Sequence, residues 1–417
     1  MKRLVRDNWR WWLILSCVPL FATKTLFNTP MAVMMILGIV TVVRTPDRIL
    51  RDPSLRLLGL LFLCFEVPIL VSLPDAVALR RAASTALVDL RFYFAGIFVI
   101  DTLKDARARR CLFAGTVIIG IVWCADALLQ MLLGRDLLGY PYNGSRPTGI
   151  FHPKYRIGTV TAALFPVLLE GIRRYAAIRR LAWLALPVVL AVIVLSGNRN
   201  AWLMLAAGLL GYGVYLAFLL DRRTLVRAGG GSLAVLALVL IAAFRHPAFQ
   251  QRVDQTLGLF RDDPQAVDMA TGMRLSLWKT AWNMYRAHWI NGVGPRGFRY
   301  DYLRHAGPDD YWVANFDPGE QKYPQSHPHQ MLLEVMAETG TIGLIGYLLL
   351  LALLINGLRT TPSNCRMHVW PWGVATLVAW FPGNAHMALY ASYWGTIAWW
   401  LLLVTVGMRE ACRRERA

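Results

Sequence analysis

The run QSHPHQMLLEVMAETGTIGLIGYLLLLALLIN, Gln325–Asn356, decides how the chain is read. It opens polar, with His327 and His329 on either side of Pro328. From Met331 it is mostly apolar for longer than the about 20 residues a helix needs to cross a bilayer. Pro328 suits a first helical turn, where its missing N–H costs nothing. The pattern predicts a helix that continues into a membrane span, with His329 in its first turn on the outer side. The positive end of the helix dipole disfavours an imidazolium there. His329 is therefore expected to stay neutral and able to accept a proton.

Blocks of the same kind recur in both directions. Candidate spans lie near 11–27, 31–43, 55–73, 87–103, 111–133, 158–172, 181–196, 201–220, 232–244, 330–356, 369–389 and 392–408. At about 20 residues per span, about twelve spans account for more than half of the 417 residues. The chain is 56% apolar and only 17% charged, against roughly 25% charged in soluble globular proteins. Disordered and fibrous classes are excluded, and six cysteines are too few for a disulfide scaffold. The cysteines show no metal-like spacing and read as packing residues. No cleavage site follows the first span, so it reads as a span and not as a signal peptide.

Lys and Arg number 44 against 25 Asp and Glu, a formal charge of +19. Such a balance in a soluble protein points to nucleic acid or an anionic surface. The placement of the charges says otherwise. More than half of the cations fall in loops of one parity, among them Lys2, Arg3, Arg44, Arg51, Lys104, Arg107, Arg173, Arg180, Arg222, Arg359 and Arg413. The positive-inside rule puts these loops, and both termini, in the cytoplasm. The expected fold is an all-α polytopic membrane protein. Residues 1–244 carry spans one to nine, with a short outer loop at 134–157. Residues 245–328 form one large outer loop containing short helices, and 329–417 carry the last three spans.

The outer face is unusually basic. The large loop holds Arg274 and nine further cations, and the shorter loop holds Arg146, Lys154 and Arg156. Arginine presents a planar fork that matches phosphate or carboxylate oxygens in pairs. Arg199, in SGNRNAW (Ser196–Trp202), sits where a helix starts, and helix starts attract anions. Thr271–Trp289 reads as an amphipathic helix whose tryptophans suit a membrane interface and would hold Arg274 at headgroup depth. A neutral His329 beside such a cluster is a candidate general base, with His327 as its neighbour. His152, His246, His288, His305, His368 and His386 read as ordinary packing or surface groups. The pairs Asp262–Asp263 and Asp309–Asp310 read as solvated loop, not metal ligands. Glu66, Arg91 and Asp126 lie inside spans, where ionisable groups are functional candidates or buried pairs. Phosphate-loop, dinucleotide and nucleophile-elbow motifs are absent.

Three stretches resemble the O-antigen ligase/polymerase family of bacterial envelope proteins. They are SGNRNAW, the helix TGMRLSLWKTAW with its following NGVGPRGF (Asn291–Phe298), and HPHQMLLEVMAETGTIGLIGY (His327–Tyr347). RPTGIFHPKYRIGT (Arg146–Thr159) looks like the family segment that precedes its sixth span. Family members often carry Asn where this chain has Gln330, which keeps an amide. The resemblance implies a GT-C-like glycosyltransferase of the bacterial inner membrane with a periplasmic active site. Its donor is a glycan on undecaprenyl diphosphate. The ligase branch, favoured here, transfers that glycan to a lipid A-core sugar. Other branches extend the glycan or modify protein. No metal, cofactor or nucleic acid is expected. In this reading His329, Arg199 and Arg274 are catalytic, and Arg146, Lys154, Arg156 and His327 bind substrate. An alternative of another class is a transporter or flippase for a lipid-linked anion. Against it, the polar residues gather on one face and no inverted repeat is evident.

The orientation has a direct check. A fluorescent protein fused after Ala417 should fluoresce, and alkaline phosphatase inserted within 245–328 should be active. The opposite pattern would invert the topology.

Overall fold

A computed structural model describes residues 2–47, 51–385 and 387–415. Among them the fold is helical, with no strand beyond an isolated bridge between Arg135 and Pro141. Among the described residues, nine α-helices precede the large loop. They are α1 (Lys2–Leu20), α2 (Thr29–Arg44), α3 (Pro53–Ser72), α4 (Leu79–Thr102), α5 (Ala106–Leu133), α6 (Ile157–Ala176), α7 (Ala185–Leu195), α8 (Arg199–Ala217) and α9 (Arg222–Ala243). Five short helices follow: α10 (Pro247–Leu257), α11 (Pro264–Thr271), α12 (Leu275–Ala287), α13 (Phe298–His305) and α14 (Tyr311–Ala314). Last come α15 (Met331–Arg359), α16 (Ser363–Ala379) and α17 (Ser392–Arg414).

Each expected span contains a helix, but only seven helices of the described residues are long and apolar enough to cross a membrane. Others fall short in length, as do α7 with 11 residues and α16 with 17. Large apolar side chains stand exposed along α2 (Ile36, Ile39, Val43), α3 (Leu60, Leu63, Val67) and α9 (Leu233, Leu238, Ile241). Water would not tolerate so much exposed hydrocarbon, whereas lipid does.

The centre of the bundle is α17, buried along most of its length. Its Trp399 stacks on Phe92 of α4 at 5.2 Å and meets Trp380 edge-on at 5.5 Å. A buried indole N–H needs an acceptor. Trp380 donates to Ala398 O, Trp394 to Ala379 O and Trp400 to Ile14 O, at 3.0–3.1 Å. Helix α17 is thus joined to α1 and to the end of α16. Cys365 and Cys412 form a disulfide where the start of α16 meets the end of α17. This corrects the reading of these two as packing residues. The other four cysteines are free.

Of the three ionisable groups singled out within spans, Arg91 and Asp126 have identifiable partners, while Glu66 keeps a buried oxygen without a hydrogen bond among the described residues. Arg91 pairs with Asp89 at 3.6 Å, both buried. Asp126 accepts from Leu137 N at 2.9 Å. One turn on, Gln130 accepts from the N–H groups of Thr148 and Gly149 at 2.8 Å. The outer end of α5 therefore shapes the 134–157 loop, so Asp126 anchors backbone instead of pairing with a charge.

The expected uninterrupted helix after Gln330 is broken at Gly340, whose φ of 65° is left-handed. In a continuous helix Thr341 and Ile342 would donate to Ala337 and Glu338. Instead they donate to Trp289 O and Ile290 O, at 2.8 and 3.1 Å. The vacated carbonyls of Ala337 and Glu338 accept from Val293 N and Gly294 N, at 3.0 and 2.9 Å. The turn after α12 is thus stitched into the gap in α15. Gly292 (φ 69°) and Gly340 face the opposing backbone so closely that a Cβ on either would collide with it.

Two buried carboxylates on one face of α15 secure further loops. Glu338 accepts from Arg296 N and Phe298 N, at 2.6 and 3.3 Å. Glu334 accepts from Leu389 N and Tyr390 N, at 2.8 and 3.3 Å. A small outer core of Leu277, Ala281, Met284, Val293, Phe298, Tyr302 and Ala337 closes over them. Leu277 and Ala281 belong to the apolar repeat read from the sequence of α12, and Met284 joins them on the buried face. Trp282 and Trp289 stay exposed.

Gly340→Ala and Gly292→Ala should each cost about 2–5 kcal/mol, from left-handed strain plus overpacking. Gly213→Ala in α8, where a Cβ meets nothing, should be neutral or slightly stabilising. Melting temperatures in detergent test this, and equal shifts for all three would refute it.

Candidate active site

Arg199 is the first residue of α8. Gly197 (φ 60°) turns the chain into that helix, and Asn198 caps it by accepting from Asn200 N at 3.0 Å. The Asn198 amide also donates to Thr159 Oγ1 of α6 at 2.8 Å, which fixes the turn. The Arg199 guanidinium crosses to the large loop and donates to Ala270 O. Arg274 lies at the start of α12, just after Gly272 (φ 73°) and Met273 (φ 58°). A Cβ on Gly272 would come within 3.3 Å of Arg199 Nη2. The left-handed turn before Arg274 is therefore also the surface on which Arg199 rests. Burial, and secondarily the charge of Arg199, pull the Arg274 guanidinium down to about 10. Among the described residues neither arginine forms an ion pair with a carboxylate.

His329 does not lie in the first turn of a helix, as its sequence suggested. Helix α15 begins at Met331 with Gln330 as its cap, and the Gln330 Oε1 accepts from Leu333 N at 2.5 Å. His329 precedes the cap with φ 53°, and Pro328 is outside the helix altogether. A non-glycine residue in this conformation carries about 1–3 kcal/mol of strain, and such positions concentrate at functional sites. The other two described non-glycine residues with positive φ are Met273 and Arg296. All three belong to the stretch between Arg274's turn and α15. The His327 and His329 rings lie 3.9 Å apart. Ser326 joins them to the loop, its Oγ 2.8 Å from His327 Nδ1 and its carbonyl accepting from Arg299 at 3.1 Å.

The segment between α16 and α17 connects these parts. Pro382 O accepts from the Gln330 amide at 3.0 Å, and Asn384 O accepts from Met331 N at 2.8 Å. The next residue, Ala385, receives Arg274 Nη1 on its carbonyl at 2.6 Å and donates its N–H to Asn200 Oδ1 at 2.8 Å. The start of the His329 helix, the Arg274 helix and the residue after Arg199 thus all hold one short stretch of backbone. Asn200 was within the motif singled out by sequence, but only its arginine drew notice. Asn384 carried no signal beyond a Pro-Gly turn. His386 lies outside the described residues.

The shorter outer loop is less uniform. Arg146 lies against Gly197, so it borders the Arg199 turn. The Arg156 guanidinium covers the Tyr393 ring at 3.7 Å and so faces α17. Lys154 is exposed. An apolar groove of about 470 Å³ runs between α5, α7 and α9, lined by Leu128, Val188, Leu195, Val239 and Ala243. Arg245 and His246 close its outer end. His246 and Leu195 also line a small cleft with Arg146, Gly197 and Arg252, so that end of the groove borders the turn before Arg199. The Asp309–Asp310 pair is structural: Asp310 caps α14 and accepts from Thr280 and Tyr302 hydroxyls.

The fold and its lipid-facing surfaces define a multi-pass helical membrane protein. Residues 160–348, somewhat under half of the chain, match the family model described as O-antigen ligase. The matched region runs from α6 into α15 and contains Arg199, Arg274, His327 and His329. It excludes Arg146, Lys154, Arg156 and the 382–385 segment. No curated protein matches the chain.

Asn200→Ala would leave the Ala385 N–H without its acceptor, at about 1–3 kcal/mol. A clear fall in melting temperature is expected, with none for the exposed Lys154→Ala. An unchanged melting temperature for Asn200→Ala would show that the 382–385 segment is held some other way.

Proposed function

We propose that the chain transfers an O-polysaccharide from undecaprenyl diphosphate to a sugar of the lipid A core, at the periplasmic face of the inner membrane. One observation carries the reading. Two half-buried arginines share a site, repel one another, and have only carbonyl partners among the described residues. A desolvated cation pair of this kind is relieved by an anion, and a diphosphate offers charge and paired oxygens to both. The apolar groove that opens beside Gly197 suits a polyprenyl chain attached to that anion. The 245–328 helices form the outer lid of the site.

His329 acts as the general base. It takes the proton of the acceptor hydroxyl as that oxygen attacks the anomeric carbon from the face opposite the diphosphate. The bond between the anomeric carbon and the diphosphate breaks, so a single displacement inverts the centre. Negative charge grows on the departing diphosphate, where Arg199 and Arg274 are already in place. Removing a pre-placed donor of this kind raises a barrier by about 3–4 kcal/mol. His327, tilted against His329 at 3.9 Å, orients its ring. Arg146, at the Arg199 turn, adds to the diphosphate site. Arg156 and Lys154 lie further out and suit phosphates of the acceptor core. The ligase reading is preferred to polymerase or protein-glycosylating relatives because 245–328 is a single dominant loop.

Purified variants tested with a labelled lipid-linked glycan and a lipid A-core acceptor decide the matter. His329→Ala, Arg199→Ala and Arg274→Ala should each lower transfer at least about 100-fold while the protein still accumulates in the membrane. Near-normal transfer by His329→Ala would remove the base assignment. Label appearing in longer glycan or in protein, and not in lipid A-core, would replace ligase by one of the other branches.

A further inference from the structure

The end of α12 remote from Arg274 carries a second cluster, unrelated to the transfer chemistry. We propose that His288, Asp301 and His305 form a binding site for a divalent transition metal, with zinc as the best match. Asp301 and His305 lie one turn apart on the same face of α13. His288 comes from a different element, the residue that ends α12. His305 Nε2 is 2.9 Å from Asp301 Oδ2, and His288 Nε2 is 4.0 Å from the same oxygen. One ligand atom from each residue falls within 4.8 Å of the others. Ligand atoms about 2.1 Å from a tetrahedral zinc stand about 3.4 Å apart. Two of the separations bracket that spacing and the third, between the imidazoles, is at most 4.8 Å, so side-chain shifts of up to about 1–1.5 Å admit the ion.

The chemistry of the donors selects the metal. Two imidazoles and a carboxylate suit zinc and its transition-metal neighbours, whereas calcium and magnesium prefer an all-oxygen shell. The supports are those a metal site uses. Asp301 is 1% exposed, and its second oxygen is held by Arg304 at 3.3 Å. That arginine is 77% exposed, so water screens its charge from the site. Asn283 donates to His305 O at 3.1 Å, and Gly292 donates to His288 O at 2.9 Å, which fixes the backbone of both imidazoles. His288 is 36% exposed and leaves an entry path and an open fourth position for water.

The 13 residues of α12 separate this cluster from Arg274 by about 20 Å. The ion is therefore a clamp between α12 and α13, both of which rest on the outer part of α15. It takes no part in glycan transfer, so the two readings stand or fall separately.

The test uses full-length protein carrying a purification tag without histidine. It is stripped with chelator, dialysed against zinc and counted for metal per chain. One zinc per chain is expected, with a higher melting temperature and, after cobalt substitution, the visible absorption of a tetrahedral centre. His288→Ala and His305→Ala should each lose the ion and the thermal shift. His288→Ala removes a partly exposed ring, so it tests the site without threatening the fold. Absence of stoichiometric zinc in folded wild-type protein, or full retention by both variants, would overturn the proposal.

Discussion

The half of the molecule that carries the 245–328 loop depends on the exchange of four backbone hydrogen bonds at Gly340. An apolar helix has no reason to open in the middle, because each N–H already has its partner four residues back. Here the turn that follows α12 supplies replacements on both sides of the break. The exchange is close to neutral in hydrogen bonds but exacting in shape, since both backbones must pass without side chains. That is why glycines stand at positions 292 and 340. Glu338 then caps α13 from the same stretch, and Glu334 holds the approach to α17. The position of Arg274 follows from this arrangement: its helix is pinned at the far end before its side chain reaches Ala385.

Much of the fold was legible in sequence because a bilayer imposes simple rules. Apolar blocks marked the positions of helices, and their flanking charges suggested an orientation. The amphipathic repeat in α12 marked the helix and its buried Leu277 and Ala281, but its Trp282 and Trp289 stay exposed. Hydropathy could not register the break in α15, since Thr339–Ile345 is as compatible with a span as the residues after it. Its cause lies some fifty residues earlier, in a turn recognised only as a turn. The same blindness to tertiary pairing hid the Cys365–Cys412 bridge.

The candidate site divides in a similar way. Arg199, Arg274 and His329 stood out because charge on the outer face of an apolar protein is conspicuous. The residues that gather them did not, because an asparagine after a helix cap or in a Pro-Gly turn is unremarkable alone. His329 itself shows the limit of local reading. Pro328 made a sound helix start, but Gln330 is a better cap, and the histidine was left in the strained residue ahead of it. His288, Asp301 and His305 each looked ordinary, and only the packing of α12 against α13 makes them a group.

The 382–385 segment carries one further implication. It lies near the end of the chain, yet it receives contacts from the first turns of α8, α12 and α15. A ribosome that has delivered the chain through α16 has already made every arginine and histidine of the site, but not the backbone that gathers them. The half-made protein therefore holds these side chains without their common support. The arrangement is complete only once the segment after α16 has been made, so a chain stopped short of it lacks the backbone that joins the three helix starts.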